Sequence, residues 1–253
     1  MQLTAQLSRW VLGCIAAGVL ALASAPAVAL LVQPVLIKLS TSGSDASAGI
    51  EVVNDRATPI TVEVSVNALE LPERGAPVKT ADDGDEFQIF PLQAIIPAGG
   101  RQVFRVRWMG DPALAQGKLY MFSTAELPVA MTEGQTGLSL FYAVESVVAV
   151  SPAGSRPDIS VEKVERWTNA EGVKGLAVTF DTAGAAIGFV TEGAMRLSVA
   201  GSSWSQTISA GEMNSAFGLG VIPANAKRVM FLANETAPAE GEIVARFEPQ
   251  SGN

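Results

Sequence analysis

The side chains that could do covalent or metal chemistry are nearly missing from this chain. Its 253 residues include no histidine and a single cysteine, Cys14. Ser-His-Asp and Cys-His nucleophilic catalysis, Cys/His zinc sites and c-type haem attachment therefore drop out together. No glycine-rich phosphate loop of either standard type is present. Carboxylates are plentiful, and a carboxylate pair can hydrolyse a glycosidic bond. Here, though, the acids fall mostly in loops or alternate outward on strand patterns. The chain reads as a non-enzyme with no cofactor and no metal. Asp82-Asp83-Gly84-Asp85-Glu86 lacks the spacing of an EF-hand and reads as a solvated acidic turn. Asn234-Glu235-Thr236 matches a glycosylation sequon, a short and common pattern. What is left is recognition. Arg105 and Arg107 project from the same face of an alternating strand and can grip a carboxylate. The formal net charge of −8 argues against nucleic acid as a partner.

The elements that must carry such a surface are strands. Residues 1–29 are set aside as a signal peptide. Arg9 is the charge of its n-region, Val11 to Ala25 is apolar, and Ala27-Val28-Ala29 gives the small-x-small cleavage pattern. The apolar run is broken by Gly13, Ser24 and Pro26 and is short for a span, so no stable membrane anchor is expected. Removal of this segment takes Cys14 with it, and a chain without disulfides must be held by its cores.

From Leu30 onward, short strand patterns are bounded by turn residues. Ile60, Val62, Val64 and Val66 alternate with polar neighbours, and Phe104, Val106 and Trp108 alternate with Val103, Arg105 and Arg107. Pro72 to Asp85 reads as a polar loop, and Leu127-Pro128 as the place for a cis peptide bond. About seven strands in roughly 120 residues is the density of an immunoglobulin-like sandwich. Ser151 to Pro157 is small, Pro/Gly-rich and short, a hinge between domains. Strand patterns resume at Ile159, Leu176, Ala194, Ser205, Arg228 and Glu242, while Gly184 to Gly188 is ambiguous. The expected fold is all-β: a signal peptide, an Ig-like domain over 30–150, a hinge over 151–157 and a smaller β-sandwich over 158–250.

Within the first domain, Gly137 to Val150 is the longest apolar run outside the N-terminus. Leu138, Leu140, Tyr142 and Val144 fall on one face, and Phe141, Ala143, Val147 and Ala149 on the other. A strand apolar on both faces is either deep in a sandwich or shared with something outside the molecule.

The order of these features resembles a known family. It runs Pro34-x-x-Ile37-x-Leu39, Ile50-x-Val52-x-Asn54, Phe87-x-Ile89-x-Pro91, then Ile96-Pro97-Ala98-Gly99-Gly100-x-Gln102-x-Phe104-Arg105-Val106, Leu127-Pro128 and Leu140-Phe141-Tyr142 before a Pro-containing hinge. In that order, over residues 34–157, the chain is similar to the periplasmic pilus chaperones, the PapD-like family. The resemblance implies an L-shaped, two-domain binding protein of the periplasm. It would cap incomplete pilin or fimbrial subunits by lending them its G strand, and deliver them to an outer-membrane usher. The lending face would be Leu138, Leu140, Tyr142 and Val144. The family anchors a subunit's C-terminal carboxylate with two basic residues, but the matching positions here are Leu36 or Lys38 and Ser139. The arginine that follows the Leu-Phe-Tyr strand is Ala143 here. These departures point to a divergent branch closer to the archaic type, with Lys38 and Arg105 or Arg107 as the replacement anchor. The alternative reading is a structural or adhesive component of a surface fibre. The short stretch before the first strand, Leu30 to Pro34, offers such a component little donor arm.

Overall fold

The computed structural model describes residues 30–82, 84–128 and 141–250. The expected signal peptide lies outside the described residues, as do Asp83, Leu138, Ser139 and Leu140. Two β-sandwiches follow one another along the chain.

In the N-terminal sandwich, one sheet runs β1 (Leu30–Gln33), β3 (Ser47–Asn54), β8 (Arg101–Trp108), β6 (Phe87–Phe90). The facing sheet runs β2 (Leu36–Ser40), β10 (Ala143–Ser151), β9 (Lys118–Glu126), β4 (Ile60–Glu70), β5 (Val78–Ala81), and β7 (Gln93–Ile96) pairs with the start of β4. The chain changes sheets between β1 and β2, so β2 runs parallel to β10 while the other pairs are antiparallel. Period-two patterning decides which face goes inward. Phe104, Val106 and Trp108 are buried, while Arg101, Val103, Arg105 and Arg107 stay outside. Phe87 meets Trp108, Tyr120 and Phe122 edge-on, with ring centroids 5.2, 4.8 and 4.9 Å away. Such edge-to-face contacts add to area burial and fix the sheet spacing.

Among the described residues, the cis peptide bonds are Gln33–Pro34 and Phe90–Pro91, not Leu127–Pro128 as the sequence suggested. The Leu127 N–H donates to the Thr61 carbonyl at 2.8 Å, which continues the pairing of β9 with β4 by one residue.

In the C-terminal sandwich, one sheet runs β11 (Asp158–Thr168), β12 (Lys174–Ala183), β17 (Lys227–Ala233), and the other β15 (Ser205–Ile208), β14 (Gly193–Val199), β18 (Ile243–Pro249). A small ladder joins β13 (Gly188–Phe189) to β16 (Val221–Ile222). Phe180, Leu176, Met195, Leu197 and Ile222 form its buried centre. The sequence reading contained no helix, but α1 (Ala210–Phe217) closes one end, with Met213 fully buried. Its signal was present. Ser209 and Glu212 form a capping box, in which the serine side chain accepts from the Glu212 N–H and the glutamate accepts from the Ser209 N–H. At eight residues, the helix was too short for its periodicity to stand out.

Close packing in this sandwich gives a sharp expectation. A Cβ on Gly175 would lie 2.3 Å from the Leu232 carbonyl oxygen, a backbone atom with little freedom to move. Gly175→Ala is expected to cost about 1–3 kcal/mol by overpacking. Urea unfolding reads this as a lowered midpoint, and an unchanged midpoint would contradict it.

The two sandwiches share a third apolar cluster. Leu69, Leu119 and Ala149 of the first meet Ile187, Phe189 and Val221 of the second. The ambiguous segment Gly184 to Gly188 turns out to be this seam. The Gly117 N–H donates to the Ala185 carbonyl at 2.7 Å, and the Ile187 N–H donates to Ser151 Oγ at 3.1 Å. The stretch read as a polar loop also does more than expected. It carries β5, its Glu73 carbonyl accepts from the Val229 N–H at 2.8 Å, and Arg74 reaches Trp167 and Glu165.

Candidate partner-binding site

The two-sided apolar character of the strand before the hinge now divides into parts. Over Val147 to Val150, β10 is held on both edges, by β9 and by β2. Ser146, Val148 and Val150 point into the N-terminal core. Val147 and Ala149 point the other way, onto the second sandwich. Both apolar faces of this half are thus used inside the molecule. Val144 also packs, partly buried, against the N-terminal core.

The upstream half differs. The Glu126 N–H donates to the Tyr142 carbonyl at 2.9 Å, and the Val147 N–H donates to the Val35 carbonyl at 2.8 Å. In an antiparallel ladder, alternate residues turn their N–H and C=O to opposite sides. Even-numbered residues of β10 therefore bond to β9, and odd-numbered ones face away from it. From Val147 onward, β2 takes those outward groups. Ala143 and Glu145 lie upstream of β2 and present an open strand edge, since no strand among the described residues pairs with them there. Beside this edge, Phe141 and Tyr142 are 48% and 42% exposed. An open edge next to exposed aromatics is a template for strand addition.

The base of this edge is a polar corner that the sequence did not reveal. Arg56 Nη1 donates to Glu126 Oε1 at 2.7 Å, and both side chains are largely buried. The Arg56 guanidinium lies 5.2 Å from the centroid of the Tyr142 ring. Asn54, fully buried, accepts from the Arg56 N–H and donates to carbonyls of Thr58, Ile96 and Pro97. Nothing in the spacing of Arg56 and Glu126, 70 residues apart, announces their pairing.

The structure does not bring the expected anchor residues together. Lys38 lies on the outer face of the sheet containing β2, where its ammonium pairs with Glu192 and sits 4.1 Å from the Phe189 ring centroid. Burial holds its pKa below the ordinary lysine value. Arg105 and Arg107 lie on the outer face of the opposite sheet, near Phe90 and Gly49, with no ion pair to either among the described residues. About 10 Å of core separates the two sheets, so one carboxylate cannot reach Lys38 and these arginines together. Leu36 and Val147, paired across β2 and β10, face the second sandwich as apolar residues.

This two-sandwich arrangement has solved counterparts. It is similar to the class 5 fimbriae chaperone CfaA, at 12% identity over 87% of this chain and 99% of that one, with a TM-score of 0.52. The chain has the fold of the fimbrial chaperones. It is also similar to a chain of a chaperone–tip adhesin complex of CFA/I fimbriae biogenesis, at 12% identity over 87% of this chain and 99% of that one (TM-score 0.51). The YadV chaperone matches at 12% identity over 86% of this chain and 91% of that one (TM-score 0.51). No family model and no curated protein matches the sequence. At such identities the likeness is one of fold.

Proposed function

We propose that the chain is a periplasmic assembly chaperone, a binding protein without catalytic activity. It captures pilin-like subunits that lack one strand of their own sandwich, lends them its strand upstream of β10, and hands them to an outer-membrane usher. The observation that carries this reading is the open edge at Ala143 and Glu145, flanked by exposed Phe141 and Tyr142. A subunit missing a strand has an apolar groove and two unpaired backbone edges. A lent strand fills the groove with alternate side chains and pairs the edges. Leu138, Leu140 and Tyr142 continue the alternation toward the partner, while Val144 begins the chaperone's own core. Among the described residues no helix is long and apolar enough to cross a membrane.

Co-expression with pilin-like subunits is expected to give soluble one-to-one complexes on size exclusion. Subunits that stay soluble and unchanged without the chain would contradict the reading. Recovery of the chain itself in sheared surface fibres would favour a fibre component instead.

A further inference from the structure

Two buried polar atoms at the end of the N-terminal sandwich have no partner among the described residues: Arg56 Nη2 and Glu126 Oε2. They belong to the pair whose other atoms, Nη1 and Oε1, meet at 2.7 Å. The Glu126 side chain is only 9% exposed. A buried donor or acceptor left unmade is costly, so a fold that keeps one of each side by side calls for a reason. The backbone holds both residues in place. Arg56 lies in the turn between β3 and β4, where its N–H donates to Asn54 Oδ1 at 3.1 Å. Glu126 ends β9 and has the inward parity of Phe122 and Thr124. Tyr142 lies over this corner. It has the inward parity of Ser146 and Val148, its carbonyl accepts from the Glu126 N–H, and its ring centroid is 5.2 Å from the guanidinium.

Strand lending moves that ring. Tyr142 would turn into the partner's groove, while Val144 stays in the chain's own core. Arg56 and Glu126 are then uncovered at the plane where one core ends and the other begins. What they offer there is one N–H donor side and one acceptor oxygen on a pair that is neutral as a whole. A carboxylate would meet the free oxygen of Glu126, and an ammonium would meet the guanidinium, so each is attracted by one member and repelled by the other. A neutral amide fits both, with its carbonyl on Arg56 and its N–H on Glu126. A sandwich that lacks a strand lines its groove with unpaired backbone groups of this kind. We infer that the Arg56–Glu126 corner is a binding site for a main-chain amide of the captured polypeptide, covered by Tyr142 in the free chain and opened when Tyr142 is lent. This rests on the strand-lending reading and adds to it a polar contact on the chain's own side of the junction.

The test uses the full mature chain and a pilin-like subunit co-expressed with it. Arg56→Met with Glu126→Leu removes both free atoms, and thermal unfolding checks that the fold persists. Capture by this apolar double variant is expected to fall at least about tenfold, because the partner's amide is then buried without bonds. Arg56→Gln with Glu126→Gln supplies a donor and an acceptor without charge and should recover most of that loss. Undiminished capture by the apolar variant, or an amide variant that captures no better than it, would overturn the inference. A readout that needs no variant is NMR of the parent chain carrying isotope-labelled arginine. The Arg56 Nη2 protons should shift downfield on complex formation as they gain an acceptor, and an unchanged Arg56 signal would overturn the inference. Slowed exchange of the Ala143 and Glu145 amides in the same complex reads strand lending by itself. If those amides are protected while Arg56 is unchanged, the corner assignment alone is wrong. If they exchange freely in a stable complex, strand lending fails and the inference falls with it.

Discussion

Replacing Leu140 or Tyr142 with aspartate is expected to weaken subunit capture at least a hundredfold, while the chain itself stays folded. The first half of this expectation follows from where the side chains go. In the complex, they would fill an apolar groove, and an unpaired carboxylate there costs several kcal/mol. A hundredfold loss corresponds to about 2.7 kcal/mol, well within that cost. The second half follows from where Tyr142 sits in the free chain. Its ring is 42% exposed and lies against the Arg56 guanidinium, so an aspartate at 142 keeps both water and a cation beside it. Binding measured by surface plasmon resonance, with thermal unfolding as the control, reads both halves. A Tyr142→Asp chain that captures subunits normally would contradict the strand-lending account. One that unfolds would show that this position belongs to the chain's own core.

The second large effect concerns the corner beneath that strand. Arg56→Ala or Glu126→Ala is each expected to destabilise the chain by about 2–3 kcal/mol, because either change leaves the other charge largely buried and unpaired. The side chains are 19% and 9% exposed, which places the cost toward the lower end for a buried pair. The pair is itself imperfectly satisfied: Arg56 Nη2 and Glu126 Oε2 are buried without partners. Replacing both residues together, Arg56→Met with Glu126→Leu, should therefore come within about 1 kcal/mol of the parent. Chemical unfolding of the three variants checks this. If the double variant costs as much as the two single changes added, the pair is not coupled as the geometry shows.

Much of this was legible in the sequence because burial in a sandwich is written with a period of two. Phe104, Val106 and Trp108 could be assigned inward and Arg105 and Arg107 outward from alternation alone, and the structure agrees. Alternation gives the face of a strand but not what covers that face. Alternation alone therefore left open whether Val147 and Ala149 were covered by the molecule or by a partner, and the second sandwich covers them. The same limit hid the separation of Lys38 from Arg105 and Arg107. All three are outward on their strands, but the strands belong to opposite sheets. Contacts that depend on distant chain segments left no local trace. The Arg56–Glu126 pair and the seam at Ala185 and Ile187 are of this kind. Helix α1 is a different case, since the Ser209–Glu212 cap is a local signal present in the sequence.

The most direct test of strand lending is amide hydrogen exchange along β10, residue by residue, with and without a bound subunit. In the free chain, the amides of Ala143 and Glu145 should exchange rapidly, because they face the open edge. Those of Val144 and Ser146, which face β9, should be protected. On complex formation, the amides of Ala143 and Glu145 are expected to slow at least a hundredfold, while those of Val144 and Ser146 change little. A stable complex in which Ala143 and Glu145 still exchange at the free rate would show that the subunit is held elsewhere, and the account would be wrong.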